Sequence, residues 1–200
     1  MNSTSTPLPP SPAPSSRALP GLILALFSLP MLIALGLYAV HWRPAAVASH
    51  GELVTPPRPL PAEGLVATDD RPLGATELRG RWLMVLAVAG PCNADCLTRI
   101  DEMRRIQVAL YRNMGRVGRV VLSDAPDLPL IAAADAAPDL LLARPDGPWR
   151  ELLADATNTK APRLYLLDPL GNLVIRYPPR PQAAGVKRDL EHLLKFSWNG

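Results

Sequence analysis

The stretch "WLMVLAVAGPCNADCLTRI", residues 82–100, runs from apolar residues through a Gly-Pro break to two cysteines and the start of a helical period. The unbroken apolar run Trp82–Ala89 reads as a strand covered on both faces, as in a parallel sheet. Gly90-Pro91 ends it. Downstream, Leu97, Ile100, Met103, Ile106, Leu110, Tyr111 and Met114 recur at helical spacing, with Arg104, Arg105 and Arg112 elsewhere on the wheel. Gly115 and Gly118 punctuate the helix end, and "RVVLS" (119–123) reads as a second buried strand.

The same alternation extends to both sides. "GLVATDDRPLGATELRGR" (64–81) predicts a short strand, a turn and a short approach segment. Residues 124–160 are rich in Ala, Asp and Pro and predict helices only near 129–136 and 148–155. "RLYLLD" and "NLVIRY" are strand patterns separated by the turn signal "PLG", a hairpin. "GVKRDLEHLLKF" (185–196) places Val186, Leu190, Leu193 and Leu194 on one helical face. The order is βαβ, then a linker, then ββα. It predicts an α/β fold resembling a thioredoxin-like sandwich, a central mixed sheet flanked by helices, over residues 62–197.

The N-terminal part is of another kind. Residues 1–18 are Ser/Thr/Pro-rich and cannot bury enough surface to offset their ordering entropy, so they read as a disordered tail. Residues 19–40, "LPGLILALFSLPMLIALGLYAV", carry no charge. As a helix they span about 33 Å, enough to cross a hydrocarbon core. Pro30 is tolerated mid-span with a kink, and Tyr38, His41 and Trp42 mark an interface. "AVA" before Ser49 resembles a signal-peptidase site, but the apolar run is longer than a signal-peptide core, so the segment reads as an uncleaved anchor. Residues 41–61, "HWRPAAVASHGELVTPPRPLP", read as a semi-extended Pro-rich spacer. The expected setting is a bacterial-type inner membrane, crossed once, with the N-terminus cytoplasmic and the domain periplasmic. Counting positive charges does not favour this orientation; an oxidising compartment for the cysteine pair does.

Composition excludes several classes. The 200-residue chain holds 24 prolines and a net charge of only +3, with no dense basic run, so nucleic acid is not an expected partner. Internal repeats, a phosphate-binding GxxxxGK[ST] loop and a metalloprotease HExxH are missing from the sequence, and its three histidines, His41, His50 and His192, lie far apart.

Cys92 and Cys96 are the only cysteines and stand at i and i+4. If Cys92 opens the helix, unpaired N–H groups and the helix dipole favour its thiolate, and Cys96 lies one turn on along the same face. Asp95 opposes thiolate formation and Arg99 favours it. The spacing suits a disulfide, two thiolates on a soft metal such as copper(I), or two small buried core residues.

This arrangement resembles the SCO/SenC family, membrane-anchored thioredoxin-like proteins that deliver copper to, or reduce thiols in, the copper centre of cytochrome c oxidase. The likeness rests on "LRGRW", "LMVLAVA", the CxxxC pair Cys92 and Cys96, "YLLDPLGNLVIRY" and "GVKRDLEHLLKFS". It implies that Cys92 and Cys96 are copper ligands or redox thiols, and that oxidase subunits or assembly factors are partners. The sequence departs from the family in two ways. Asn93 and Leu97 stand where prolines follow the cysteines, and Lys160 stands where the family has its copper-ligating histidine. Around "KAPRLYLLD" the chain looks more like a thioredoxin, in which a cis-proline packs against the redox cysteines. Ala161-Pro162 occupies that place, and an ordinary trans proline at a strand start is the alternative.

The expected function is therefore that of a membrane-anchored thiol–disulfide factor in oxidase copper-centre assembly, with Cys92 attacking, Cys96 resolving and Pro162 beside them. A copper(I) chaperone and a docking module with a structural disulfide are the alternatives. His50 and His192 read as solvated, as do Asp124 and Asp127. Lys160 reads as solvated or as lowering a thiol pKa. Trp149 and Trp198 read as packing residues.

Overall fold

The structure is a computed structural model that describes residues 18–40, 49–124, 126–159 and 161–197. The expected disordered tail (but for its last residue), the interfacial His41 and Trp42, the first part of the spacer, Lys160 and Trp198 lie outside the described residues. The chain divides into two compact units at residues 47 and 48.

In the first unit, α1 (Ala18–Ala39) is one helix with Pro30 inside it. Its stretch Pro20–Ala39, with mean hydropathy 2.3, is long and apolar enough to cross a membrane. Large apolar side chains such as Leu22, Phe27 and Met31 are exposed along it.

The second unit contains β1 (Glu52–Pro59), β2 (Leu65–Ala67), β3 (Pro72–Leu73), α2 (Ala75–Leu78), β4 (Trp82–Val88), α3 (Ala94–Ala109) and β5 (Val117–Ser123). After these come α4 (Leu128–Asp135), β6 (Leu140–Pro145), α5 (Arg150–Thr159), β7 (Arg163–Leu167), β8 (Asn172–Arg176) and α6 (Ala183–Phe196). The eight strands form one mixed sheet in the order β1-β8-β7-β4-β5-β6-β2-β3. β4, β5 and β6 run parallel, and the remaining pairs are antiparallel. This is the thioredoxin-like sandwich expected from the element order.

All seven residues of β4 are buried, because the sheet is covered on both faces. Trp82, Met84, Leu86 and Val88 pack under α3, α4 and α6, with Ile100, Met103, Val186 and Leu190. Leu83, Val85 and Ala87 face the opposite layer, where Leu78, Trp149, Leu152 and Ala156 lie. Trp149 is a packing residue, as expected, and its Nε1–H donates to the Pro61 and Glu63 carbonyls.

Three expectations are corrected. The spacer supplies a strand: β1 pairs with β8, with Glu52 opposite Arg176 and Pro59 opposite Asn172. Prolines are tolerated there because β1 is an edge strand, where a missing N–H breaks no central ladder. The domain therefore begins before residue 62. Second, β6 arises from "LLLARP" within the segment expected to be helices and loop, and pairs in parallel with β5. Third, α3 ends at Ala109 and a 3-10 turn follows from Tyr111 to Arg116. This resets the helical phase and leaves Tyr111 and Met114 exposed, and Leu97 also points outward.

A buried carboxylate ties the start of the unit to its last helix. Asp189 of α6 is 8% exposed. It accepts from the His50 backbone N–H at 3.0 Å, and His50 Nδ1 lies 3.0 Å from its Oδ1. The Tyr177 hydroxyl donates to it at 3.0 Å. Burial, with the Asp189 charge adding, pushes the Tyr177 hydroxyl well above its ordinary pKa and keeps it a donor. His50 is thus a bonded part of the fold and not a linker residue, although its side chain stays exposed to solvent, as expected. Its ring lies so close to Gly185 that a Cβ there would come within 2.7 Å.

Asp189→Ala strands the buried Tyr177 hydroxyl, at about 1–3 kcal/mol for a group left unpaired in the interior, and also removes the acceptor of the two part-buried His50 donors. Urea denaturation should show it at least twice as damaging as Tyr177→Phe, for which a loss of about 1 kcal/mol is expected. Equal losses would refute the clasp. A second prediction concerns Asp139, whose carboxylate accepts a 2.6 Å bond from Arg119. That bond holds its pKa below the usual carboxylate range. A pKa depressed by folding stabilises above the unfolded value of about 4 and loses that stability as pH falls through the folded value. Between about pH 5 and about pH 2, the wild type should therefore lose stability more steeply than Asp139→Asn.

Candidate functional site

The polypeptide leaves β4 at Val88 and turns at Gly90, whose φ of +77° is a conformation that favours glycine. Cys92 comes next, then Asn93, the N-cap of α3, whose side-chain oxygen accepts from the Cys96 N–H at 3.1 Å. Cys92 and Cys96 are joined by a disulfide, with Cα atoms 5.3 Å apart. The cap bond and the disulfide close over the same helical turn. Cys92 lies outside the helix, two residues ahead of its first position. The expectation that it opens the helix is corrected, because Asn93 takes the cap and places helical geometry after itself.

Both cysteines are buried, Cys92 at 6% exposure and Cys96 at 1%, in the apolar cluster of Val88, Ile100 and Leu164. The Cys92 N–H donates to Asp127 at 2.8 Å. The other oxygen of Asp127 caps α4 through the Leu130 N–H at 3.2 Å. Asp127 is therefore fixed against the cysteine loop and not solvated, whereas Asp124 is exposed as expected. Arg99, expected to favour a thiolate, is held by Glu102 at 2.6 Å, by Asp95 at 3.9 Å and by the Pro181 carbonyl at 3.2 Å. Asp95 in turn lies 3.5 Å from Arg180. Much of the nearby positive charge is thus already matched.

Pro162 precedes β7, whose Arg163 pairs with Ala87 near the end of β4. The structure brings Pro162 to the sheet end that carries the cysteine loop. The cis peptide bond found among the described residues is Thr55–Pro56 and not Ala161–Pro162. Pro162 enters β7 as an ordinary strand-start proline, where its missing N–H is tolerated.

The histidines are placed elsewhere: His50 on Asp189, and His192, exposed, against the Phe196 ring at 5.0 Å. Among the described residues, no three His, Cys, Asp or Glu side chains are grouped as a metal site. Reduction of the disulfide would free two sulfur donors that suit copper(I), with no third His, Cys, Asp or Glu grouped with them as a metal site among the described residues. The arrangement can exchange two electrons and two protons between disulfide and dithiol.

Sequence reasoning missed Asn93 and the roles of Asp127 and Asp189. The first two carried local signals, since each immediately precedes a helix, the place an N-cap occupies. The contact from Asp127 to Cys92 carried none.

The profile of the family described as "Transmembrane-like, thioredoxin-like, C-terminal domain" matches residues 82–197. Among solved structures, yeast Sco1 with copper bound superposes with a TM-score of 0.54 at 13% identity, covering 72% of this chain and 96% of that one. Apo Sco1 from Thermus thermophilus gives 0.52 at 15% identity, over 76% and 100%. A thiol:disulfide interchange protein from Bacteroides sp. gives 0.50 at 12%, over 73% and 93%. At these identities the likeness is one of fold. No curated protein matches in sequence.

Asp127→Ala removes a helix cap, worth about 1 kcal/mol, and strands the Cys92 N–H. Thermal unfolding should show a clear loss for Asp127→Ala and a smaller one for Asp127→Asn, which keeps an acceptor. The reverse order would contradict the double role.

Proposed function

Because the chain belongs to the transmembrane-like, thioredoxin-like C-terminal domain family, we propose that it is a membrane-anchored thiol–disulfide protein acting through Cys92 and Cys96. One observation carries this reading: the only two cysteines of the chain are joined at the turn from the central strand β4 into α3. The anchor is α1, with the N-terminus cytoplasmic and the thioredoxin-like unit in an oxidising compartment. The substrate is a disulfide in a protein of cytochrome c oxidase copper-centre assembly, either an oxidase subunit or an assembly factor.

The exchange is balanced. The Cys92 thiolate attacks one sulfur of the partner disulfide, forming a mixed disulfide and releasing the other partner sulfur as a thiolate. The Cys96 thiolate then attacks Cys92, closes the Cys92–Cys96 disulfide and releases the second partner thiolate. Two protons end on the partner sulfurs. Cys92 is the attacking group because it is the more accessible of the two and lies outside the helix. Asp127 holds its backbone in place. Pro162 lies just before β7, at the end of the sheet that carries the pair.

A second reading takes copper(I) as cargo. It is favoured by two soft sulfur donors on residues with Cα atoms 5.3 Å apart. In that reading a partner protein supplies the third ligand.

The full-length protein in detergent tests these readings. Cys96→Ser should accumulate a mixed disulfide with the partner, and Cys92→Ser should not. A reduction potential well below about −300 mV would mark an inert structural disulfide and overturn the exchange reading. Stoichiometric copper(I) on the reduced wild type, lost in Cys92→Ser, would establish the cargo reading.

A further inference from the structure

Arg119 occupies a position that the β5 pattern assigns to the core. It lies between Val117 and Val121 on the face covered by α3 and α4, paired in register with Met84 of β4 and Leu140 of β6. Its side chain is 1% exposed. Nη2 donates to Asp139, but Nε and Nη1 are buried and have no acceptor among the described residues. Arg99, Ser123 and Arg163 each show one buried side-chain atom without a hydrogen-bond partner among the described residues, and Arg119 shows two. A buried cation with unmet donors carries a desolvation penalty that an acceptor relieves.

Over Arg119, α3 and α4 leave a cavity of about 160 Å³. Its walls include Leu97, Ile100, Ala133 and Ala137, and Arg104 and Asp101 also line it. The small side chains of Ala133 in α4 and of Ala136 and Ala137 just after it leave the space, whose volume is of the size that admits a benzene-sized molecule. Asp101 is paired with Arg105 at 2.7 Å, and Asp139 already balances part of the Arg119 charge. A single negative charge therefore suits the cavity better than a dianion, and the walls suit an apolar body.

We propose that the α3–α4 cavity is a binding site for a small monocarboxylate with an apolar body, its carboxylate received by Arg119. The long Arg119 side chain turns toward the cavity so that Nε or Nη1 meets the carboxylate. The site is independent of thiol exchange, although its wall begins at Leu97, next to Cys96.

Isothermal titration of the full-length protein in detergent, against empty micelles, tests the site with benzoate and its neutral analogue benzamide. Benzoate should bind at one site per chain and at least tenfold more tightly than benzamide. Arg119→Met should reduce benzoate affinity at least tenfold. Ala133→Leu, which fills the cavity and keeps the guanidinium, should do the same while unfolding at the wild-type temperature. If Arg119→Met does not fold, Ala133→Leu decides. Equal binding of benzoate and benzamide, no binding of either, or wild-type affinity in Ala133→Leu would overturn the proposal.

Discussion

Trp82–Val88 has no solvent-facing side, and the rest of the folded unit follows from that constraint. A strand buried on both faces needs a layer of structure above and below it and a hydrogen-bonded neighbour on each edge. α3, α4 and α6 supply one layer, and α5 with the Trp149 turn supplies the other. β5 and β7 supply the neighbours. The strand end then fixes where the chain must turn. There Gly90, Cys92, Asn93 and Cys96 form the connection into α3, so the site is positioned by a fully buried strand at the centre of the sheet.

The cysteine pair is held more tightly than its spacing alone implies. One bridge is covalent, one is the Asn93 cap, and one is the Asp127 carboxylate, which joins the loop to the first turn of α4. The other two are hydrogen bonds that do not run through the sulfur atoms. The carboxylates of Asp95, Glu102 and Asp127 and the guanidinium of Arg99 offset one another near this loop.

The legible parts of the fold were those written in long, uniform patterns: the apolar runs of β4 and β5, the hairpin around "PLG", and the amphipathic α3 and α6. β1 was hidden because its prolines signal a linker, and only the edge position makes them compatible with pairing. β6 was hidden because four apolar residues, Leu140–Ala143, sit in an Ala/Asp/Pro-rich context that favours no one structure. At the site, the cysteines were legible from their rarity and spacing. Asp127 was legible as a helix cap but not as a partner of Cys92, 35 residues away, and Asp189 was not legible as the partner of His50, 139 residues away.

The proline-rich edge has a bearing on crowding. A sheet edge is a template on which another chain can lay a strand, and β1 forms one border of this sheet. Pro56, Pro57 and Pro59 remove N–H donors along it, and the register breaks between Leu53 and Arg58. The opposite border, β3, is only two residues long. Neither margin offers the long run of donors and acceptors that would let one copy recruit the next. Edges interrupted or shortened in this way are those that resist strand addition by another chain.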